Sequence, residues 1–133
     1  MDNESRAVVE LRVSRADEEL QAARNLIRDG LYRIAASRAY YAAFLMTTAL
    51  LFTKDVVRAK HSGVQSVFGE MWVKPGIIEE EYGRIYTRLR KTREESDYSD
   101  RAMVTEEIAR ERLAEAEQFV QRLAAYLRDV GAL

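Results

Sequence analysis

Apolar residues return every three or four positions along most of this chain, and the interruptions mark its joints. Val9, Val13, Ala16, Leu20, Ala23 and Ile27 alternate at four-three spacing, the seam of a packed helix. Ser5 is placed to cap its start, and Gly30 ends it as a left-handed residue beyond the last turn does. So tight a turn sends the next helix back antiparallel. That second helix carries Leu31, Ile34, Ala35, Arg38, Ala42, Leu45, Ala49 and Phe52 on one face. Its second half is apolar nearly all round, which predicts that its neighbours enclose it.

The pattern breaks from Thr53 to Glu81. Lys54, Asp55, Arg58 and Lys60 form a polar connector, and His61-Ser62-Gly63 opens a short helix with Val64, Val67 and Phe68 on one side. Lys74-Pro75-Gly76 is a strong turn signal and holds the only proline. The excursion is longer than a bundle needs, and long connections often carry function. A third long helix is predicted from Ile78 or Glu79 to Asp97, with Glu79, Glu80 and Glu81 at the positive end of its dipole. Tyr82, Ile85, Tyr86 and Leu89 line its inner face, and the same spacing then lands on Arg93 and Ser96, so the seam turns polar. Ser99-Asp100 begins a loop, and Thr105 caps the last helix, although Ile108 stands where a capping box would place an acid. Ala109, Leu113, Ala116, Val120, Leu123, Leu127 and Val130 keep four-three spacing to the end. The prediction is one all-α domain over residues 1–133: an up-down bundle of four long helices with a short helical insertion between the second and third.

Composition narrows the chemistry. Twenty-one basic against 22 acidic residues argue against a constitutive, charge-driven polyanion binder, while leaving room for a local basic patch. With no cysteine there is no disulfide framework, thiolate nucleophile or thiolate metal site, and the lone His61 excludes a multi-histidine metal centre within one chain. No cofactor is implied. The apolar run from Ala39 to Phe52 is too short for a bilayer and carries two tyrosines and two threonines. The first residues lack a signal pattern, so the expected location is the cytoplasm.

Two arginines stand out. Arg38 opens Arg38-Ala39-Tyr40-Tyr41-Ala42-Ala43-Phe44 on what should be the most enclosed helix, and Arg93 precedes Asp97-Tyr98 by one turn. An unpaired internal guanidinium costs several kcal/mol, so the two segments are expected to meet. Asp97 is then placed to accept a bidentate bond from Arg38, with Tyr41 or Tyr98 taking a remaining donor. Two readings stay open: an ion-paired structural cluster, or a nucleotide or RNA site made by Arg38, Tyr41, Arg90, Arg93 and Tyr98. Arg84, Arg88, Arg90, Lys91 and Arg93 form a basic run with tyrosines nearby, read either as a solvated face or as an RNA contact. His61, at a helix start, is either a local hydrogen-bonding residue or a group that approaches Arg38 or Arg93.

The Arg38–Phe44 stretch, His61-Ser62-Gly63, Phe68, Val73-Lys74, and Arg93 with Asp97-Tyr98 together resemble the prokaryotic HEPN-domain family, over nearly the whole chain. The resemblance implies a small helical bundle that forms a homodimer. It also implies pairing with a minimal nucleotidyltransferase in a toxin–antitoxin-like operon. Many members are metal-independent ribonucleases in which an arginine is followed, four to six residues later, by a histidine. Arg93 fits the arginine position, but no histidine follows it and Asp97 occupies the neighbourhood. A carboxylate paired with an arginine is a poor acid and a weak base. The expectation is therefore a binding or regulatory partner. The alternative is an RNA endonuclease with a modified centre, Arg93 and Arg38 holding phosphate and His61 or Asp97 moving a proton.

Overall fold

The helical spacing becomes five α-helices in the computed structural model of the chain, which describes residues 1–98 and 103–133. They are α1 (Asn3–Arg28), α2 (Tyr32–Phe52), α3 (His61–Phe68), α4 (Glu80–Tyr98) and α5 (Glu106–Asp129), and a single π-helical turn, Gly69–Val73, prolongs α3. No strand occurs among the described residues. Four long helices and a short insertion make the all-α bundle that the pattern predicts. The loop expected at Ser99-Asp100 lies outside the described residues.

The helix ends follow local chemistry, with one exchange of roles. Ser5 does not cap α1: the Asp2 carboxylate does, accepting the Ser5 N–H at 2.7 Å. The helix starts early enough that Ser5 already sits in its first turn and supplies an orphan donor. At the other end Gly30 takes φ +77°, and the N–H groups of Gly30 and Leu31 donate to the carbonyls of Ile27 and Leu26. These two bonds close a Schellman motif and turn the chain straight into α2. Thr105 caps α5 as expected, its hydroxyl accepting from the Ile108 N–H at 3.2 Å.

Helix α2 is the axis, packed against α1, α3, α4 and α5. It is long and apolar enough to cross a membrane, but 61% of that stretch is buried inside the bundle. The face it buries is rotated from the expected one. Ala35, Ala42 and Ala49 of the expected face are buried, but Leu31 and Ile34 are exposed and Arg38, Leu45 and Phe52 only half-buried, whereas Ala36, Ala39, Tyr40, Ala43, Met46 and Leu50 are buried as well. Alanines at 35, 36, 39, 42, 43 and 49 leave nearly every side of α2 open to close helix approach, so size, not polarity, sets its orientation. The other seams hold: Val9, Ala16, Leu20, Ala23 and Ile27 of α1 are buried, as are Ala109, Ala116, Val120, Leu123 and Leu127 of α5. Val130, expected on that seam, is exposed.

The insertion is anchored rather than draped. Val64, Phe68 and Trp72 are buried, and Phe68 packs with Tyr86 of α4 and Phe119 of α5 at ring-centroid distances of 6.0 and 5.7 Å. Lys54 Nζ lies 4.9 Å from the Trp72 ring centre, a cation over an aromatic face. Seating these residues fixes the first residue of α3, which is His61.

Candidate functional site

Tyr40 and Tyr41 of α2, His61 of α3 and Arg93 of α4 converge where those three helices meet. Successive helical positions point about 100° apart, so adjacent tyrosines serve two purposes. Tyr40 is fully buried, whereas Tyr41 reaches the surface. Arg93 Nη2 donates to Tyr41 Oη at 3.1 Å, and the guanidinium carbon lies 5.4 and 5.8 Å from the Tyr41 and Tyr40 ring centres. His61 Nδ1 and Tyr40 Oη are 2.6 Å apart. Three rings hold the imidazole: Phe44 stacked at 4.4 Å, Tyr40 stacked at 5.7 Å, and Tyr41 edge-on at 5.9 Å.

The carboxylates are distributed differently from expectation. Asp97 does not meet Arg38. Its Oδ2 lies 3.0 Å from Arg93 Nε, one turn earlier on α4, and its Oδ1 lies 3.9 Å from Arg33 Nη1. Arg38 instead faces α1, where Glu19 Oε2 is 3.2 Å away, and its guanidinium lies over the Tyr41 ring at 4.8 Å. The rotation of α2 explains both: Arg38 emerges at the α1 edge, a third of it exposed, and not on the inward stripe. The Arg93–Asp97 contact is close but poorly aligned, so Arg93 Nε is buried without a proper acceptor among the described residues. Buried donors left in this state are costly.

Arg90 stands one turn before Glu94 on α4, donating to Glu94 Oε1 at 2.8 Å and to Gln65 Oε1 of α3 at 2.6 Å. Two more members of the basic run are neutralised in the same way. Arg84 pairs with Glu80 at 3.8 Å, and Arg88 pairs with Glu115 of α5. Tyr98, at the end of α4, is 79% exposed and stands outside the cluster. Of the residues expected at the site, the structure therefore gathers Tyr41, His61, Arg90, Arg93 and Asp97, sets Arg38 at its rim through Tyr41, and leaves Tyr98 in solvent. Gln65, Glu19 and Arg33 join it without having been expected from the sequence. Gln65 lies one turn after His61 on the same helix face, a signal that spacing offers; Glu19 and Arg33 reach the cluster only through tertiary packing.

Electrostatics set the state of the imidazole. Burial is the main influence pushing the His61 pKa below its ordinary value, Arg93 and Arg90 add to it, and Glu94 opposes them. Burial likewise raises the phenols of Tyr40 and Tyr86, so both keep their protons at neutral pH. The site thus offers a neutral imidazole, two guanidiniums held by carboxylates, and an aromatic wall. Chemically this suits an oxyanion joined to a flat, stackable group. A hollow of about 500 Å³, lined by Phe52, Lys54, Asp55 and Tyr126 among others, lies elsewhere and gathers no comparable set of groups.

The HEPN domain family matches residues 9–126, a span that includes every residue of this cluster. A Methanocaldococcus jannaschii protein that carries the name "Putative toxin" is 40% identical over 130 residues, covering 98% of this chain and 96% of its own length. A UPF0332 protein of Thermotoga maritima is 32% identical over 128 residues, covering 96% and 97% of the two chains. A second M. jannaschii protein of the same "Putative toxin" name is 30% identical over 115 residues, covering 86% and 78%.

Proposed function

This chain belongs to the HEPN domain family, and on that footing we propose that it is the toxin-class member of a toxin–antitoxin-like pair. It acts in the cytoplasm as a homodimeric binding and regulatory partner of a minimal nucleotidyltransferase, and it takes a nucleotide or RNA at the Arg93 cluster. The observation that carries the ligand site is the convergence of Arg93, Tyr41 and His61 from three helices, with Arg93 Nε buried and lacking an aligned acceptor among the described residues. A phosphate oxygen that displaces the Asp97 carboxylate supplies such an acceptor, and the rings supply a face for a base. The half-covered outer side of α2, with Ile34 exposed and Tyr41 and Leu45 half-buried, supports the dimer.

Fluorescence anisotropy with a labelled ATP analogue and a labelled oligouridine tests the site. Saturable binding of either probe to the parent, lost in Arg93→Ala and strengthened in Asp97→Asn, is the expected result. Asp97 competes with the ligand for Arg93, which is why its neutralisation should help. Equal binding by the parent and Arg93→Ala, or none by the parent, overturns the site.

The second reading, a metal-independent endoribonuclease, is favoured by one observation: His61 comes from another helix to stand in the Arg93 cluster, where the sequence after Arg93 has no histidine. Cleavage of a mixed RNA pool in the presence of a chelator, abolished in both Arg93→Ala and His61→Ala, would establish it.

A further inference from the structure

His61 is held by the hydroxyl of a buried tyrosine. Tyr40 is fully buried, and its Oη lies 2.6 Å from His61 Nδ1. Behind it stands Tyr86 of α4, also fully buried, with ring centres 5.9 Å apart. The Tyr86 hydroxyl has no hydrogen-bond partner among the described residues.

Each phenol keeps one proton, and a buried O–H left without an acceptor costs about 1–3 kcal/mol. Among the described residues the Tyr40 hydroxyl has one partner, His61 Nδ1. The fully buried Tyr40 therefore gives its proton to the nitrogen beside it, His61 Nδ1. A neutral imidazole that accepts at Nδ1 carries its hydrogen on Nε2. We infer that Tyr40 is a positioning residue that fixes His61 as the tautomer protonated on Nε2. The ring therefore meets a ligand as a hydrogen-bond donor and not as a base.

The polarity is opposite to that of a histidine whose Nδ1–H is held by a carboxylate so that Nε2 is free to take a proton. Beside Arg93 and Arg90 the Nε2–H adds a neutral donor to two cationic ones, a set that suits a phosphate oxygen. The inference rests on the proposed ligand site and deepens it, favouring binding over cleavage there.

His61 is the only histidine, so its ring nitrogens can be read without ambiguity in a long-range proton–nitrogen NMR spectrum of the full chain. At neutral pH the expected spectrum shows Nε2 in the protonated range and Nδ1 in the unprotonated range. In Tyr40→Phe the Nδ1 resonance should move by several parts per million toward the position of an unbonded acceptor. A proton on Nδ1 in the parent overturns the inference, and so does a Tyr40→Phe spectrum with both nitrogens unmoved. The parent spectrum decides the tautomer even where a variant folds poorly. Nucleotide binding that survives Arg93→Ala would instead sink the ligand site while leaving the tautomer intact.

Discussion

Replacing Asp97 by asparagine separates a buried ion pair from a peripheral one. The side chains of Arg93 and Asp97 are 17% and 26% exposed, so the pair sits between two well-characterised limits. An exposed pair four apart on a helix contributes about 0.3–0.5 kcal/mol, whereas breaking a fully buried pair costs about 3–5 kcal/mol. The misaligned Arg93 Nε contact and the distant, exposed Arg33 place this pair toward the lower limit, at about 1.5 kcal/mol. For a chain of 133 residues the unfolding entropy is about 0.28 kcal/mol/K, which converts that loss to a fall in Tm of about 5 °C. Thermal unfolding followed by far-UV circular dichroism, at fixed protein concentration, reads it. A double-mutant cycle supplies the identity of the partner: Asp97→Asn should couple to Arg93→Gln and show no coupling to Arg38→Gln. Stronger coupling to Arg38, or a loss above about 3 kcal/mol, would refute the placement of Asp97 at the edge of the cluster.

The same geometry sets two further outcomes. His61 has a folded pKa below its ordinary 6.5, so the unfolded chain binds the proton more readily. Its contribution to stability is complete above pH 6.5 and is lost as pH falls from there toward the lower folded value. His61→Gln should flatten this part of a urea-unfolding profile measured against pH, and an unchanged slope would refute the shift. Gly83 lies inside α4, and a Cβ built there meets only the Val73 methyl groups at 3.5 and 3.6 Å, ordinary contact distances. Gly83→Ala should therefore stabilise the chain by about 0.5–1 kcal/mol, seen as a raised urea midpoint with an unchanged slope; destabilisation would mean that Val73 cannot accept the contact.

The fold is legible wherever polar residues mark the outside of a helix. α1 and α5 show their seams because charged residues fill the opposite faces. α2 conceals its orientation because it is apolar on nearly every side, and a pattern without contrast cannot say which alanines face which neighbour. The error carries over to the site. Taking Arg38 as inward makes it the natural partner of Asp97, whereas the partner that spacing alone offers, Arg93 one turn earlier, is the one found. The approach of His61 to Arg93 has no local signal, since it depends on how Val64, Phe68 and Trp72 seat the insertion. The π-helical turn after Phe68 is likewise unannounced by its sequence.

That seating has an optical consequence. The chain has a single tryptophan, Trp72, and it is wholly buried in the segment that continues from His61, with Lys54 above its ring. Its emission is therefore a private reporter of the insertion, while circular dichroism is dominated by the four long helices. A ligand that draws His61 outward, or a partner that lifts the insertion from the bundle, changes the colour of that one indole before any long helix melts.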